Sequence, residues 1–237
     1  DLRELSNLVH KLKEGKKISD FYGDNKYYKY YVESYTAIFE QFIGDYEQNG
    51  EKHYGLKNYH PFPKGFWYSH YDDFGASRSY GFKRKHLGHD LMGSIGTPLV
   101  AVEGGIITDY GWNKYGGWRL GIRSFDGKRS YYYAHLRKNK PYVEGLSKGD
   151  TIMAGQVIGY LGGTGYSYKE NVNMGGKPHL HLGMQLIFNE CQIQGPKEIW
   201  IDLYNISKFL SHNRAEVTKG EIDHESVNLK ITLAREW

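Results

Sequence analysis

The punctuation of residues 81–195 limits the folds open to this chain more than any other feature. Glycine is dense there, and short apolar stretches run between the glycines. Leu99-Val100-Ala101-Val102 is one stretch, and Trp118, Leu120 and Ile122 mark a second. Tyr131-Tyr132-Tyr133-Ala134-His135 is a third and Val157-Ile158-Gly159-Tyr160 a fourth. His179-Leu180-His181-Leu182-Gly183-Met184-Gln185 is the fifth. Short runs of this kind, separated by turn signals every ~8–12 residues, predict an all-β unit. Repeated interior glycines disfavour helix.

The flanks read differently. Leu2, Leu5, Leu8, Val9 and Leu12 fall on one face of a helix over 1–13. Tyr30, Tyr31, Tyr35, Ile38, Phe39, Phe42 and Ile43 continue that period and predict a helix over 25–47. Asp24 is placed to cap it, and Asn49-Gly50 to end it. His60-Pro61-Phe62-Pro63 excludes regular helix, so 51–80 reads as irregular and aromatic. A closing helix is expected over 199–210, then a charged tail over 213–237 with one strand near 227–233. The expected class is mainly β with added helices. The expected organisation is a helical segment over 1–60, an aromatic connection over 61–80 and a β domain over 81–195. A C-terminal helix and tail, 196–237, would pack on that domain.

Composition narrows the chemistry. There is no run of ~18 apolar residues that would span a bilayer. The chain opens Asp1-Leu2-Arg3-Glu4, with no signal peptide, so either the protein is cytosolic or a targeting segment has been removed. A net charge of +4 on scattered Lys and Arg argues against a nucleic-acid partner. A single cysteine, Cys191, permits neither an internal disulfide nor a thiolate zinc site. Any metal must be held by imidazole and carboxylate, and the chain has 11 His.

Three segments place histidine suggestively: His86-Leu87-Gly88-His89-Asp90, Ala134-His135-Leu136 and His179-Leu180-His181. Residues two apart in a strand share a face, so His179 and His181 would stand side by side, one able to bind a metal while the other stands over a substrate. His86 and Asp90 would be roughly 13 Å apart on a straight strand, too far for one ion, so the segment must bend or form a helical turn. Gly88 favours the bend. Two imidazoles, one carboxylate and an open position match a catalytic zinc, and the remaining two histidines would be an acid/base pair. His89, between the ligands, should point away from them.

These segments recur with others in a telling order: His86-x-Gly88-x-Asp90, Gly96-Thr97-Pro98-Leu99-Val100-Ala101, Tyr133-Ala134-His135-Leu136, Gly149-Asp150, Gly155-Gln156-Val157-Ile158-Gly159, Gly162-Gly163-Thr164-Gly165 and His179-Leu180-His181. The set resembles the lysostaphin-type M23 zinc metallopeptidases over about residues 76–188. Ser79-Tyr80-Gly81 resembles the short motif that precedes the first ligand segment in that family. The resemblance implies a compact antiparallel β domain with a groove, and cleavage of peptide bonds in bacterial peptidoglycan. It implies zinc on His86, Asp90 and His181, with His135 and His179 as the catalytic histidines. Residues 171–173, 185–190 and 198–204 further resemble members that cut the L-alanyl–D-glutamate bond of spore cortex stem peptides. That would place the domain outside the cytoplasmic membrane, with a membrane anchor beyond these residues.

Two departures stand out. Leu182-Gly183 replaces the family's usual Phe-Glu, and the loop 166–178 is longer than usual. The first implies a different groove floor, the second an altered substrate choice. Tyr80 and Tyr168 are candidate groove contacts. In the expected mechanism His179 is the base and His135 hydrogen-bonds the oxyanion. The rival expectation is an M23-like sporulation scaffold that binds a partner without hydrolysis; intact ligand positions favour the enzyme.

Overall fold

The computed structural model describes residues 2–48, 50–79, 83–193, 195–219 and 227–228. It divides into two compact units, Asp1–Glu40 and Gln41–Trp237.

The first unit is helical: Leu2–Lys13, a short Ser19–Tyr22 turn of helix, and Lys26–Phe39. The cap of the last helix is Asn25 rather than Asp24; its side chain accepts hydrogen bonds from the Tyr27 and Tyr28 amides. This helix stops at Phe39, eight residues short of the expected end at 47. Residues Ile43–Gln48 and Glu51–Leu56 instead pair as an antiparallel hairpin in the second unit. The apolar spacing of Phe39, Phe42 and Ile43 imitates a helical face, but the tight Gly50 turn (φ 81°) suits a hairpin.

The second unit is built on an eight-stranded sheet. Its order runs Thr151–Ile152, Gly105–Asn113, Gly117–Ser124, Arg129–Ala134, His179–Leu186, His89–Met92, Ser69–His70, and Ile199–Trp200 also pairs with His179–Leu186. Every pairing is antiparallel. A small second sheet joins Pro98–Val100 to Val157–Tyr160. The aromatic stretch before residue 80 supplies the edge strand Ser69–His70 and one arm of a hairpin, Ser77–Ser79 with Lys83–Lys85. Residues 80–82, with Tyr80 and Gly81, lie outside the described residues. So does most of the strand expected near 227–233, of which Val227–Asn228 is described, paired with Thr218–Lys219. A closing helix occupies Tyr204–Leu210.

Alternation sorts the side chains by face. Tyr131, Tyr133, Ile107, Leu120 and Ile122 bury their side chains in the core. The two tyrosine hydroxyls are satisfied: Tyr131 donates to Glu103 Oε2 (2.7 Å) and Tyr133 accepts from the Val102 amide (2.9 Å). Glu103 also receives Arg129, whose guanidinium is fully buried, on two oxygens at 2.8 and 2.9 Å. Tyr132, between the two core tyrosines, faces the opposite side, and that is the side of the histidines.

Candidate metal centre

The centre of the sheet carries the chemistry because two neighbouring strands are in register. His181 lies directly opposite Asp90 on His89–Met92, and opposite Ala134 on Arg129–Ala134. His86 arrives from outside any strand. The hairpin pairing runs on to His86, whose amide donates to Ala76 O and whose carbonyl accepts from the Gly75 amide, and the chain then bends at Gly88. This bend closes the distance that a straight strand would have left between His86 and Asp90.

His86 Nε2, Asp90 Oδ1 and His181 Nδ1 form a triangle with all three edges 3.0 Å. Among the described residues they make a group able to hold one metal ion. Tetrahedral zinc with bonds of ~2.0–2.1 Å sets its ligand atoms roughly 3.3 Å apart, so the triangle fits zinc with little adjustment. The donor set of two imidazoles and one carboxylate fits as well. Burial alone would raise the Asp90 carboxyl, but His181 and His86 outweigh it and hold Asp90 far below the usual carboxylate range. Burial pushes the His181 imidazole down. These two shifts favour the forms that bind metal, an ionised carboxylate and a neutral imidazole, whereas at His86 burial is outweighed by Asp90 and Asp73, which raise its pKa, so a metal must displace a proton there.

The residues behind the triangle orient it. His86 Nδ1 lies 3.2 Å from Asp73 Oδ1 and 3.3 Å from Asp73 O, so its proton sits there and Nε2 keeps its lone pair. The other Asp73 oxygen holds Arg78, whose guanidinium also lies 3.7 Å from Asp90 Oδ2. Asp73 carries no motif and was invisible in the sequence. Gly88 is needed for space: a Cβ there would come within 2.4 Å of both Cε1 and Nε2 of the His181 ring.

His135 and His179 lie on the same groove, their rings 4.8 Å apart. His179 Nδ1–H donates to Lys177 O (2.8 Å) and its Nε2 lies 3.9 Å from Asp90 Oδ1. His135 sits just past the end of its strand in a left-handed conformation, φ 63°, which costs a non-glycine residue on the order of 1 kcal/mol. Its Nδ1–H donates to Thr164 O (2.7 Å). That carbonyl is held by the Thr164 hydroxyl, which donates to Leu136 O (2.6 Å) and accepts from the Trp118 amide (3.1 Å). Burial, then the neighbouring His179 and His181, push the His135 pKa down to about 3. His135 is therefore neutral at ordinary pH, with Nε2 a hydrogen-bond acceptor.

Arg78, Arg84, Tyr115, Tyr132 and Tyr166 complete the groove wall. Tyr132 stays protonated, burial raising its pKa. Asn113 spends its carbonyl on the Tyr115 and Gly116 amides, so its Nδ2 donates to the Tyr132 oxygen (3.3 Å). Tyr168 stands off the groove, 85% exposed, accepting from Lys114 Nζ. The long loop 166–178 is pinned by Asn171, whose Oδ1 accepts from Trp118 Nε1 and the Asn139 amide. Gly183 accommodates Trp200, since a Cβ would lie 2.5 Å from the indole. The departure at Leu182-Gly183 thus brings an indole of the neighbouring strand against this stretch of sheet. His89 turns to the other face and shares a 2.8 Å hydrogen bond with His70, beside Tyr204.

Residues 84–195 match the model of peptidase family M23. The L-Ala–D-Glu endopeptidase of Bacillus subtilis (strain 168) is 36% identical over 126 residues, which cover 52% of this chain and 36% of that protein. Lysostaphin of Staphylococcus simulans is 40% identical over 98 residues, 41% of this chain and 17% of lysostaphin. The chain thus spans well under two thirds of the length of either relative. The solved structure of lytM from Ruminococcus gnavus ATCC 29149 superposes with a TM-score of 0.62 at 31% identity, covering 83% of this chain and 71% of that one.

Proposed function

The chain belongs to peptidase family M23, and from that premise we propose that it is a zinc-dependent endopeptidase acting on stem peptides of bacterial peptidoglycan. The observation that carries this reading is the convergence of the His86–Asp90–His181 triangle with His135, His179 and Tyr132 on one groove. A binding scaffold needs no such set of proton-handling groups beside a metal site, so the enzyme is favoured over the scaffold.

His86, Asp90 and His181 would hold zinc, which when bound would supply Lewis-acid polarisation of the scissile carbonyl and a lowered pKa for water. His179 is the general base. Its Nδ1 proton is committed to Lys177 O, leaving the Nε2 lone pair to take the proton of the attacking water, which then passes to the leaving nitrogen. His135 has a different task from the oxyanion donor expected of it. Its one proton is on Nδ1, and burial opposes a second, so Nε2 accepts and orients the water or the leaving amine. The oxyanion donor is the Tyr132 hydroxyl, which accepts from Asn113 and keeps its own proton to give.

The likeness to the Bacillus subtilis relative supports the L-alanyl–D-glutamate bond as the one cut, in spore cortex or related wall, by a domain outside the cytoplasmic membrane. A membrane anchor would lie beyond these residues; no helix of the described residues is long and apolar enough to cross a membrane. The test is digestion of purified peptidoglycan by the zinc-loaded protein, with products identified by mass. New N-terminal D-glutamate is expected. His179→Ala and His135→Ala should each lose at least ~100-fold in turnover while still binding zinc. Intact stem peptides from the zinc-loaded protein would instead leave the scaffold.

A further inference from the structure

Two arginines face the groove from the hairpin Ser77–Ser79/Lys83–Lys85, and their circumstances differ. Arg78 and Arg84 are directly opposed cross-strand partners, so their side chains share one face. Arg78 is engaged, held by Asp73 and close to Asp90. Arg84 has no carboxylate partner among the described residues, and its buried Nε meets no hydrogen-bond acceptor there. Its guanidinium lies 5.1 Å from the centre of the Tyr166 ring, and that ring stacks on His135 at 5.8 Å with 21° between planes. Tyr166 takes a left-handed conformation, φ 49°, at the start of the long loop. The loop is anchored by the Tyr166 and Ser167 amides donating to Tyr115 O and Lys114 O. A planar cation is thus braced beside the proposed catalytic groups, with its Nε unpaired among the described residues.

An unsatisfied guanidinium in a partly buried groove is costly until an anion arrives, and its fork geometry matches a carboxylate. We propose that Arg84, braced by Tyr166, binds a free carboxylate on the residue that supplies the leaving nitrogen, which commits the groove to acidic stem peptides rather than uncharged glycine bridges. The inference rests on the peptidase reading above and sharpens it. In a stem peptide whose D-glutamate continues the chain through its side chain, the α-carboxylate remains free. It sits on the carbon bonded to the scissile nitrogen, so its receptor must share a groove with the metal ligands, as Arg84 does. A glycine bridge offers no such anion.

The experiment compares two synthetic L-alanyl-γ-D-glutamyl stem peptides, one with the α-carboxylate free and one with it as the carboxamide. They are assayed with zinc-loaded wild-type protein, Arg84→Gln and Arg84→Lys. Wild type should prefer the carboxylate by ~10–100-fold in kcat/KM, the range expected for a charged hydrogen-bonded pair. Arg84→Gln should lose that factor on the carboxylate peptide alone, and Arg84→Lys should keep part of it. A preference that survives in Arg84→Gln, or an equal loss on both peptides, overturns the proposal. If neither peptide is cut, the peptidase reading fails separately, and calorimetric binding of the same peptides decides the role of Arg84. Tighter carboxylate binding that vanishes in Arg84→Gln supports it, and equal binding overturns it.

Discussion

Replacing Gly88 by alanine should dismantle the metal centre while sparing the fold. The Gly88 backbone is not left-handed, so alanine meets no conformational penalty there; the difficulty is space. The new methyl would stand 2.4 Å from two atoms of the His181 ring and 3.0 Å from Leu182 O. Reaching ordinary contact requires the ring to move by about 1 Å, whereas a zinc ligand tolerates about 0.2 Å. The carbonyl behind the methyl belongs to the strand and cannot yield, so the imidazole must. Losing one good ligand should lower zinc affinity by at least ~100-fold, more than the 10–100-fold typical of second-layer contacts. Competition with a chromogenic chelator reads the affinity, and the melting temperature of the metal-free protein reads the fold. Gly44→Ala is the control, because its methyl would find only the end of Lys57 at 3.7 Å. Zinc binding by Gly88→Ala within threefold of wild type would refute the reasoning, since the ring would then have found room the structure does not show.

Three further outcomes follow from named contacts. Asp73→Ala should weaken zinc binding by no more than ~10-fold in the same chelator assay, because His86 Nδ1 keeps its hydrogen bond to the main-chain oxygen of residue 73 and loses only the carboxylate 3.2 Å away. Glu103→Ala should destabilise the fold by ~3–5 kcal/mol in urea titrations, because it leaves the fully buried Arg129 guanidinium short of its main partner. His60 is buried, and burial pushes its pKa down to about 3. Between that value and the unfolded value near 6.5 the unfolded chain binds the extra proton, so stability is complete above about 6.5 and falls as pH drops. From pH 7 to pH 5 this site should cost about 2 kcal/mol, and His60→Asn should show a correspondingly flatter pH dependence of the urea midpoint.

That His86, Asp90, His135, His179 and His181 line one groove was legible because strand alternation and motif order bear directly on it: His179 and His181 had to share a face, and the break at Gly88 had to bend the chain. Asp73 and Arg84 were not legible. Each acts through a contact made only after distant segments fold together, and neither is marked by spacing. The hairpin Ile43–Gln48/Glu51–Leu56 was misread because Phe39, Phe42 and Ile43 have a helical period that the chain does not follow. The role of His135 also depended on three dimensions: only the bond to Thr164 O fixes which nitrogen keeps a lone pair. The run Tyr131-Tyr132-Tyr133 divides by alternation: Tyr131 and Tyr133 are core residues whose hydroxyls serve Glu103 and Val102, while Tyr132 between them faces the groove.

The triangle also has a temporal meaning. His181 is 95 residues along the chain from His86 and 91 from Asp90. The strand that carries it must pair on both sides, with Arg129–Ala134 and His89–Met92, in one register. A slip of a single residue would turn His179 and His181 out of the groove together. No emerging or half-assembled chain can therefore hold the ion in working geometry. The ion's site is thus a property of the completed sheet and of no shorter piece of it.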